Sequence, residues 1–288
     1  MQEQVTSACP RPFVKWAGGK RQLLPVLSAN MPESFGRYFE PFLGGGALFF
    51  HVMGGSGGRP CHVSDLNPDL ILSYVTIRDS ADELVRALRG HESRYREDPE
   101  SYYYRVRDEY NAGRDCDAVD TVSRLIFLNK TCFNGLYRVN SRGRFNVPLG
   151  RYANPNIADA KNIFAISRAL NSPNLEIACQ DFGVVARSAR KGDLVYFDPP
   201  YVPLSETASF TRYTGCDFGL DDQKKLADLC VTLDEMGCNV LLSNSNSDIV
   251  SEMFADESWT VERVQASRCI NSDSRRRSGH HELLIRNY

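Results

Sequence analysis

Four apolar residues, Leu194-Val195-Tyr196-Phe197, run directly into Asp198-Pro199-Pro200-Tyr201. The run has the length and the β-branched and aromatic content of a buried strand. Proline lacks an amide donor and cannot continue a sheet ladder, so the strand has to stop at Asp198. A carboxylate, a rigid turn and an aromatic ring are thereby delivered together at the C-terminal end of one strand. In open α/β sheets that edge is where ligands bind.

The rest of the chain repeats this alternation. Arg37 to Glu40 reads as a short strand leading into Pro41-Phe42-Leu43-Gly44-Gly45-Gly46, and Ala47 to Met53 as a helix. Cys61 to Ser64 is a second strand ending at Asp65, and Asn67-Pro68 opens a helix through about Arg78. Residues 82–128 are mainly helical, with Leu84, Val85 and Leu88 at core spacing. Asn129 to Asn156 reads as loops with a hairpin, and Ala158 to Leu170 returns to helix. Further strands fall at Leu175–Cys179 and Asn239–Ser243, the latter preceded by a helix over Asp221–Met236. Trp259–Ser267 and Glu282–Arg286 pair as a closing antiparallel hairpin. Phe13 to Lys20 has neither period. The expected fold is an α/β sheet with helices on both faces, residues 1–80 and 158–288, interrupted by an inserted helical and loop domain over 81–157.

The ends of these strands carry the chemistry. Asp198 can accept one hydrogen of an amino group, and a main-chain carbonyl within Pro199-Pro200 can accept the other. Two acceptors placed this way favour a pyramidal nitrogen with its lone pair free, as a conjugated, weakly nucleophilic amine such as that of adenine requires. Tyr201 offers a face on which a planar base stacks. Gly44 and Gly46 let the backbone approach a ligand closely ahead of a helix N-terminus, and Asp65 is placed for a ribose diol. The glycine turn by itself also suits a dinucleotide enzyme, but Phe49 stands where the third small residue of that fingerprint belongs. Trp16 and Lys20 either hold a carboxylate-bearing ligand or anchor the terminus.

Charge is uneven although the formal net charge is only −2. No acidic residue occurs from Thr121 to Ala158, where Arg124, Lys130, Arg138, Arg142, Arg144 and Arg151 fall. Arg275-Arg276-Arg277 and the N-terminal Arg11, Lys15, Lys20 and Arg21 add two more basic segments. Such a chain can turn one positive face to phosphates.

Taken in order, these segments resemble the Dam-type (D12 class) DNA adenine methyltransferases over nearly the whole chain. The resemblance is carried by Lys15-Trp16-Ala17-Gly18-Gly19-Lys20, Glu40-Pro41-Phe42-Leu43-Gly44-Gly45-Gly46, and Asp65-Leu66-Asn67-Pro68-Asp69-Leu70-Ile71. It continues through Phe133-Asn134-Gly135-Leu136-Tyr137-Arg138, Phe145-Asn146-Val147-Pro148, Gly150-Arg151-Tyr152 and Asp198-Pro199-Pro200-Tyr201. Pro203-Leu204-Ser205, Phe210-Thr211 with Tyr213, and Leu242-Ser243-Asn244 complete it. Cys132-Phe133 and the glycine-rich loop at 54–58 depart from the family pattern.

The resemblance implies S-adenosylmethionine as methyl donor, held by Trp16, Lys20, Glu40, Phe42, Gly44, Gly46, Asp65, Asp181, Phe182 and Asp198. It implies catalysis by Asp198, Pro199, Pro200 and Tyr201 on an adenine flipped out of double-stranded DNA, with no metal. Lys15, Arg124, Phe133, Asn134, Leu136, Arg138, Pro148 and Arg151 are the implied DNA contacts. Among them Arg138 matches a bidentate guanine reader of GATC, and Phe133-Asn134 a finger entering the base stack. An RNA amine methyltransferase and a silent DNA-binding protein are the competing readings.

No apolar segment is long enough to span a membrane, and residues 1–12 lack the pattern of a secretory signal. Nine scattered cysteines with no Cys-x-x-Cys pair suit a reducing cytoplasm. No obligate protein partner is expected.

Overall fold

The computed structural model describes residues 9–55, 58–113, 117–200, 218–266 and 280–288. Tyr201, Pro203-Leu204-Ser205, Phe210-Thr211, Tyr213 and Arg275-Arg276-Arg277 lie outside the described residues, as does part of the 54–58 loop. In chain order the elements are α1 (Leu24–Ala29), β1 (Tyr38–Glu40), α2 (Ala47–Gly55), β2 (Cys61–Asp65), α3 (Pro68–Asp79) and α4 (Ala81–Glu97). Then come α5 (Pro99–Ala112), α6 (Ala118–Thr131), α7 (Ala160–Leu170), β3 (Leu175–Cys179) and β4 (Leu194–Phe197). Last are α8 (Leu220–Glu235), β5 (Asn239–Ser245), α9 (Asp248–Met253), β6 (Thr260–Ala266) and β7 (His280–Arg286).

The chain divides into two compact units. One comprises Met1–Ala17, Gly45–Gly57 and Pro68–Pro173; the other comprises Gly18–Gly44, Gly58–Asn67 and Asn174–Tyr288. The segment 81–157 lies wholly inside the first, together with α2, α3 and α7.

The second unit holds a seven-stranded sheet in the order β3-β2-β1-β4-β5-β7-β6. Strands β1 to β5 pair in parallel, and β7 runs antiparallel to both β5 and β6. The order reverses between β1 and β4, whose register places Tyr38 beside Leu194 and Phe39 beside Val195. This topological switch brings the C-terminal ends of β1 and β4 together, at Glu40 and Asp198. Their other ends are pinned by Arg37, whose Nη2 donates to Asp193 Oδ2 at 2.6 Å and whose Nε donates to Oδ1 at 3.2 Å.

Burial explains why β4 sits at the centre. Leu194, Val195, Tyr196 and Phe197 are all buried, and each such side chain contributes roughly 1.5–3 kcal/mol relative to exposure. Alternate residues go to opposite faces. Phe39, Val195, Phe197, Val240, Leu242, Leu283 and Ile285 form one apolar layer, covered by Leu226, Cys230 and Leu233 of α8 and by Val250 of α9. The short helices α1 and α9 have no apolar period long enough to announce them.

The first unit is helical. Asp98, Asp117 and Asp159 cap α5, α6 and α7 by accepting the amides of Ser101, Val119 and Asn162. Buried His91 stacks on Phe127 with ring centroids 5.1 Å apart and meets Tyr102 Oη and Ser123 Oγ at 2.7 and 3.2 Å. Burial pulls its imidazole down to about 4, so it packs as a neutral core residue. Among the described residues no helix is long and apolar enough to cross a membrane.

Candidate active site

In the second unit, Asp198 stands at the end of β4 with its side chain 18% exposed. Lys20 Nζ is 2.6 Å from Asp198 Oδ1 and donates to Gly18 O at 2.7 Å, and its side chain is only 4% exposed. Glu282 on β7 places Oε2 3.8 Å from the same ammonium. Burial pushes the Asp198 carboxyl up to about 6; Lys20 opposes this and Glu282 adds to it. One ammonium thus faces two carboxylates, Glu282 buried and Asp198 partly buried, a cluster of net charge −1 when all three are ionised.

The proline turn is held from behind. Gln223 on α8 donates from Nε2 to Pro200 O at 3.4 Å and accepts from Asn244 Nδ2 at 2.9 Å. Both side chains are buried. On β2, the strand beyond β1, Asp65 accepts Gly44 N on Oδ2 and Asn67 N on Oδ1, each at 2.9 Å. Burial raises its carboxyl while these amides pull it down. Gly44 has φ 49°, a conformation open to glycine at little cost, and the bend turns its amide onto Asp65.

Glu40 is buried and accepts the Tyr38 hydroxyl at 2.7 Å. Phe42 stacks on Phe182 at 5.2 Å between centroids, with Phe218 edge-on at 5.7 Å. Asp181 caps the short turn Phe182–Arg187 by accepting Gly183 N at 2.8 Å. Lys20, Glu40, Phe42, Gly44, Asp65, Asp181, Phe182, Asp198, Pro199 and Pro200 therefore all belong to this unit.

Tyr201 lies outside the described residues, and the remaining predicted residues belong to the first unit. Trp16 stacks on Tyr137, with centroids 4.9 Å apart and 25° between planes. Gly46 packs so closely that an added Cβ would lie 2.7 Å from the Tyr74 hydroxyl. Asn129, buried on α6, accepts Lys15 N at 2.8 Å and donates to Lys15 O at 2.9 Å and Gly135 O at 3.0 Å. The Lys15 side chain lies over Gly135, whose φ is 67°, and a Cβ there would fall 2.5 Å from Lys15 Cδ.

This clamp carries a tight turn, Phe133–Gly135, in which Asn134 is left-handed (φ 56°) and Phe133 is 43% exposed. Phe133 N donates to Pro148 O at 2.8 Å. Next comes the hairpin that the sequence suggested. Val139 bridges Phe145, and Asn140 closes the tip by accepting the amides of Arg142 and Arg144. Arg138 Nε donates to Asn146 Oδ1 at 2.8 Å, which directs its guanidinium. Leu136 is half-buried; Pro148 and Arg151 are exposed. Arg124 differs in setting: its Nε lies 3.5 Å from Glu109 on α5.

Residues 16–267 match the model of the D12 class N6 adenine-specific DNA methyltransferase family. The chain belongs to this family. It is a DNA adenine-N6 methyltransferase, an enzyme whose substrate is DNA. Full-length relatives agree. A Type II methyltransferase of Methanocaldococcus jannaschii is 42% identical over 96% of this chain and 99% of its own length. A Type II methyltransferase of Lactococcus lactis subsp. cremoris is 41% identical over 96% and 95%. The DNA adenine methylase of Escherichia coli K12 is 33% identical over 93% and 92%.

Three residues of this D12 methyltransferase escaped the sequence reading: Glu282, Gln223 and Asn129. Glu282 lies in an ordinary strand pattern and Gln223 in an ordinary helix pattern, so neither offered a local signal. Asn129, the first residue of the stretch read as loops, marked only a boundary.

Proposed function

We propose that this D12 methyltransferase transfers a methyl group from S-adenosylmethionine to the N6 amine of an adenine flipped out of duplex DNA, at GATC. The observation that carries the reading is Asp198, a partly buried carboxylate at the topological switch of the sheet, followed by two prolines braced by Gln223. Asp198 accepts one amine hydrogen and a carbonyl of Pro199-Pro200 accepts the other, freeing the nitrogen lone pair in the transition state. When bound at this strand end, S-adenosylmethionine would supply an electrophilic methyl group to that lone pair. The amine then sheds a proton along its bond to Asp198. Tyr201 supplies the stacking face for the base.

The second unit's residues fit the donor. Its charge cluster of net −1 complements a sulfonium, and Phe42 with Phe182 offers an aromatic wall. Asp65, Glu40 and Asp181 carry carboxylates for hydroxyl and amine groups, and Gly44 leaves backbone room. Lys20, Trp16 and Gly46 complete the donor set. Catalytic segments 1–80 and 158–288 and a recognition segment 81–157 follow. In that segment Arg138 reads guanine and Phe133-Asn134 fills the gap left by the base. Leu136 and Pro148 pack on base edges, and Lys15 and Arg151 hold phosphates. Arg124 joins them by releasing Glu109. The resemblance of the Phe133–Arg138 and Phe145–Pro148 segments to the family's reader supports GATC.

The test is to treat a plasmid with the enzyme and donor and cut it with GATC nucleases of opposite methylation sensitivity. Protection from one and sensitisation to the other are expected. Methyl incorporation with an unchanged digest would exclude GATC, and incorporation only into structured RNA would exclude the DNA reading.

A further inference from the structure

Lys20 presents a difficulty for the chemistry. Its ammonium occupies Asp198 Oδ1 at 2.6 Å, on the carboxylate that has to accept the target amine. An ion pair this short and buried does not open unless the ammonium has another place to go, because an unpaired buried charge is costly. Glu282 offers that place. Its Oε2 is buried and, among the described residues, accepts no hydrogen bond, while the Lys20 ammonium stands 3.8 Å from it. A buried carboxylate oxygen left short of hydrogen bonds is itself unfavourable, and such exceptions call for an explanation. The position is set by the sheet. Antiparallel register places Glu282 opposite Ser245 at the end of β5, the strand adjoining β4.

We propose that Glu282 is a positioning residue that receives the Lys20 ammonium when Asp198 takes up the target amine. The exchange moves one cation by about an ångström between two carboxylates and leaves the net charge of the cluster unchanged. Asp198 is thereby freed without stranding Lys20, and Glu282 gains the hydrogen bond it lacks. Among the described residues, the other ionisable groups that act on the cluster are Tyr196 on β4, with Tyr38 and Glu40 on β1. Tyr38 donates to Glu40 and Tyr196 pairs with Ser243, and burial holds both phenols protonated, so neither supplies a competing anion for the ammonium.

The proposal rests on Asp198 accepting the amine, so wild-type transfer to an adenine-containing duplex is measured beside each variant. Glu282→Gln keeps the shape and removes the charge. Its single-turnover methylation rate should fall roughly 10–100-fold, the range expected for losing one charge-assisted hydrogen bond. The acid limb of its pH–rate profile should move to lower pH, because Asp198 loses a negative neighbour and keeps Lys20. Affinity for S-adenosylhomocysteine, read by calorimetry, should stay within about threefold of wild type. A wild-type rate and an unmoved acid limb in folded Glu282→Gln overturn the proposal, whereas an inactive wild type overturns the underlying reading. Should Glu282→Gln fail to fold, Glu282→Asp carries the test. It withdraws the charge by one methylene, and a wild-type rate there also overturns the proposal.

Discussion

Asp198 and Lys20 form a 2.6 Å ion pair in which both partners are largely withdrawn from water. The attraction does not compensate the carboxylate for its lost hydration, since its titration still rises to about 6 from 3.8. The end of β4 is therefore held at a cost in stability. Active sites commonly show this trade.

The first prediction follows from that cost. The folded state binds the Asp198 proton more tightly than the unfolded state does, so this group's contribution to stability falls as pH rises from about 4 to about 6. The whole fall corresponds to about 3 kcal/mol. Asp198→Asn removes it while leaving Lys20 the Glu282 carboxylate. The variant should lose methyl transfer by at least about a thousandfold, the effect of deleting a transition-state acceptor. It should nonetheless melt higher than wild type, by a margin that widens between pH 5 and 6.5 and is constant above. Calorimetric scans across that range check it, and a lower melting point for the variant at pH 7.5 would contradict it.

Asn129 provides a second test, in the other unit. Its amide makes three hydrogen bonds that tie Lys15 to Gly135 beneath the exposed Phe133. Asn129→Ala leaves backbone groups short of partners and should cost about 2–4 kcal/mol. Asn129→Asp should be nearly as harmful because a carboxylate cannot donate to Lys15 O or Gly135 O. Denaturant titration measures both. Wild-type stability in both variants would mean that the clamp is idle.

Arg138 and Asn146 make a coupled pair across the hairpin. Arg138→Ala should lower kcat/KM on GATC and relax preference at one base pair by about 1–3 kcal/mol. Asn146→Ala removes only the group that aims the guanidinium, so its effect should be smaller and vanish in the Arg138→Ala background. Duplexes with single substitutions in GATC provide the comparison. Additive losses would show that Asn146 acts independently of Arg138.

Much of the site could be read from local sequence because its signals are local. The prolines after Phe197 stop β4, and the glycines after Phe42 bend the chain after β1. Each of these acts through dihedral angles or hydrogen bonds within a few residues. The strands were found for the same reason, since apolar periods are short-range. What could not be read was pairing. Asp65 was expected to face a ribose, but that its two oxygens also hold the amides of Gly44 and Asn67 had no signal in the sequence. Arg124 was counted with the basic segment, yet it stands against Glu109.

The sequence by itself determined where strands end, which chemical groups stand at those ends, and to which family the whole order of motifs corresponds. Only the tertiary structure decided who faces whom. Lys20, Asp198 and Glu282 come from the beginning, the later middle and the end of the chain. Nothing short-range links them; the parallel order of β1, β4 and β5 and the antiparallel return of β7 do. The charge state of Asp198 was equally out of reach of sequence, because it depends on burial and on two neighbours that only the closed sheet provides.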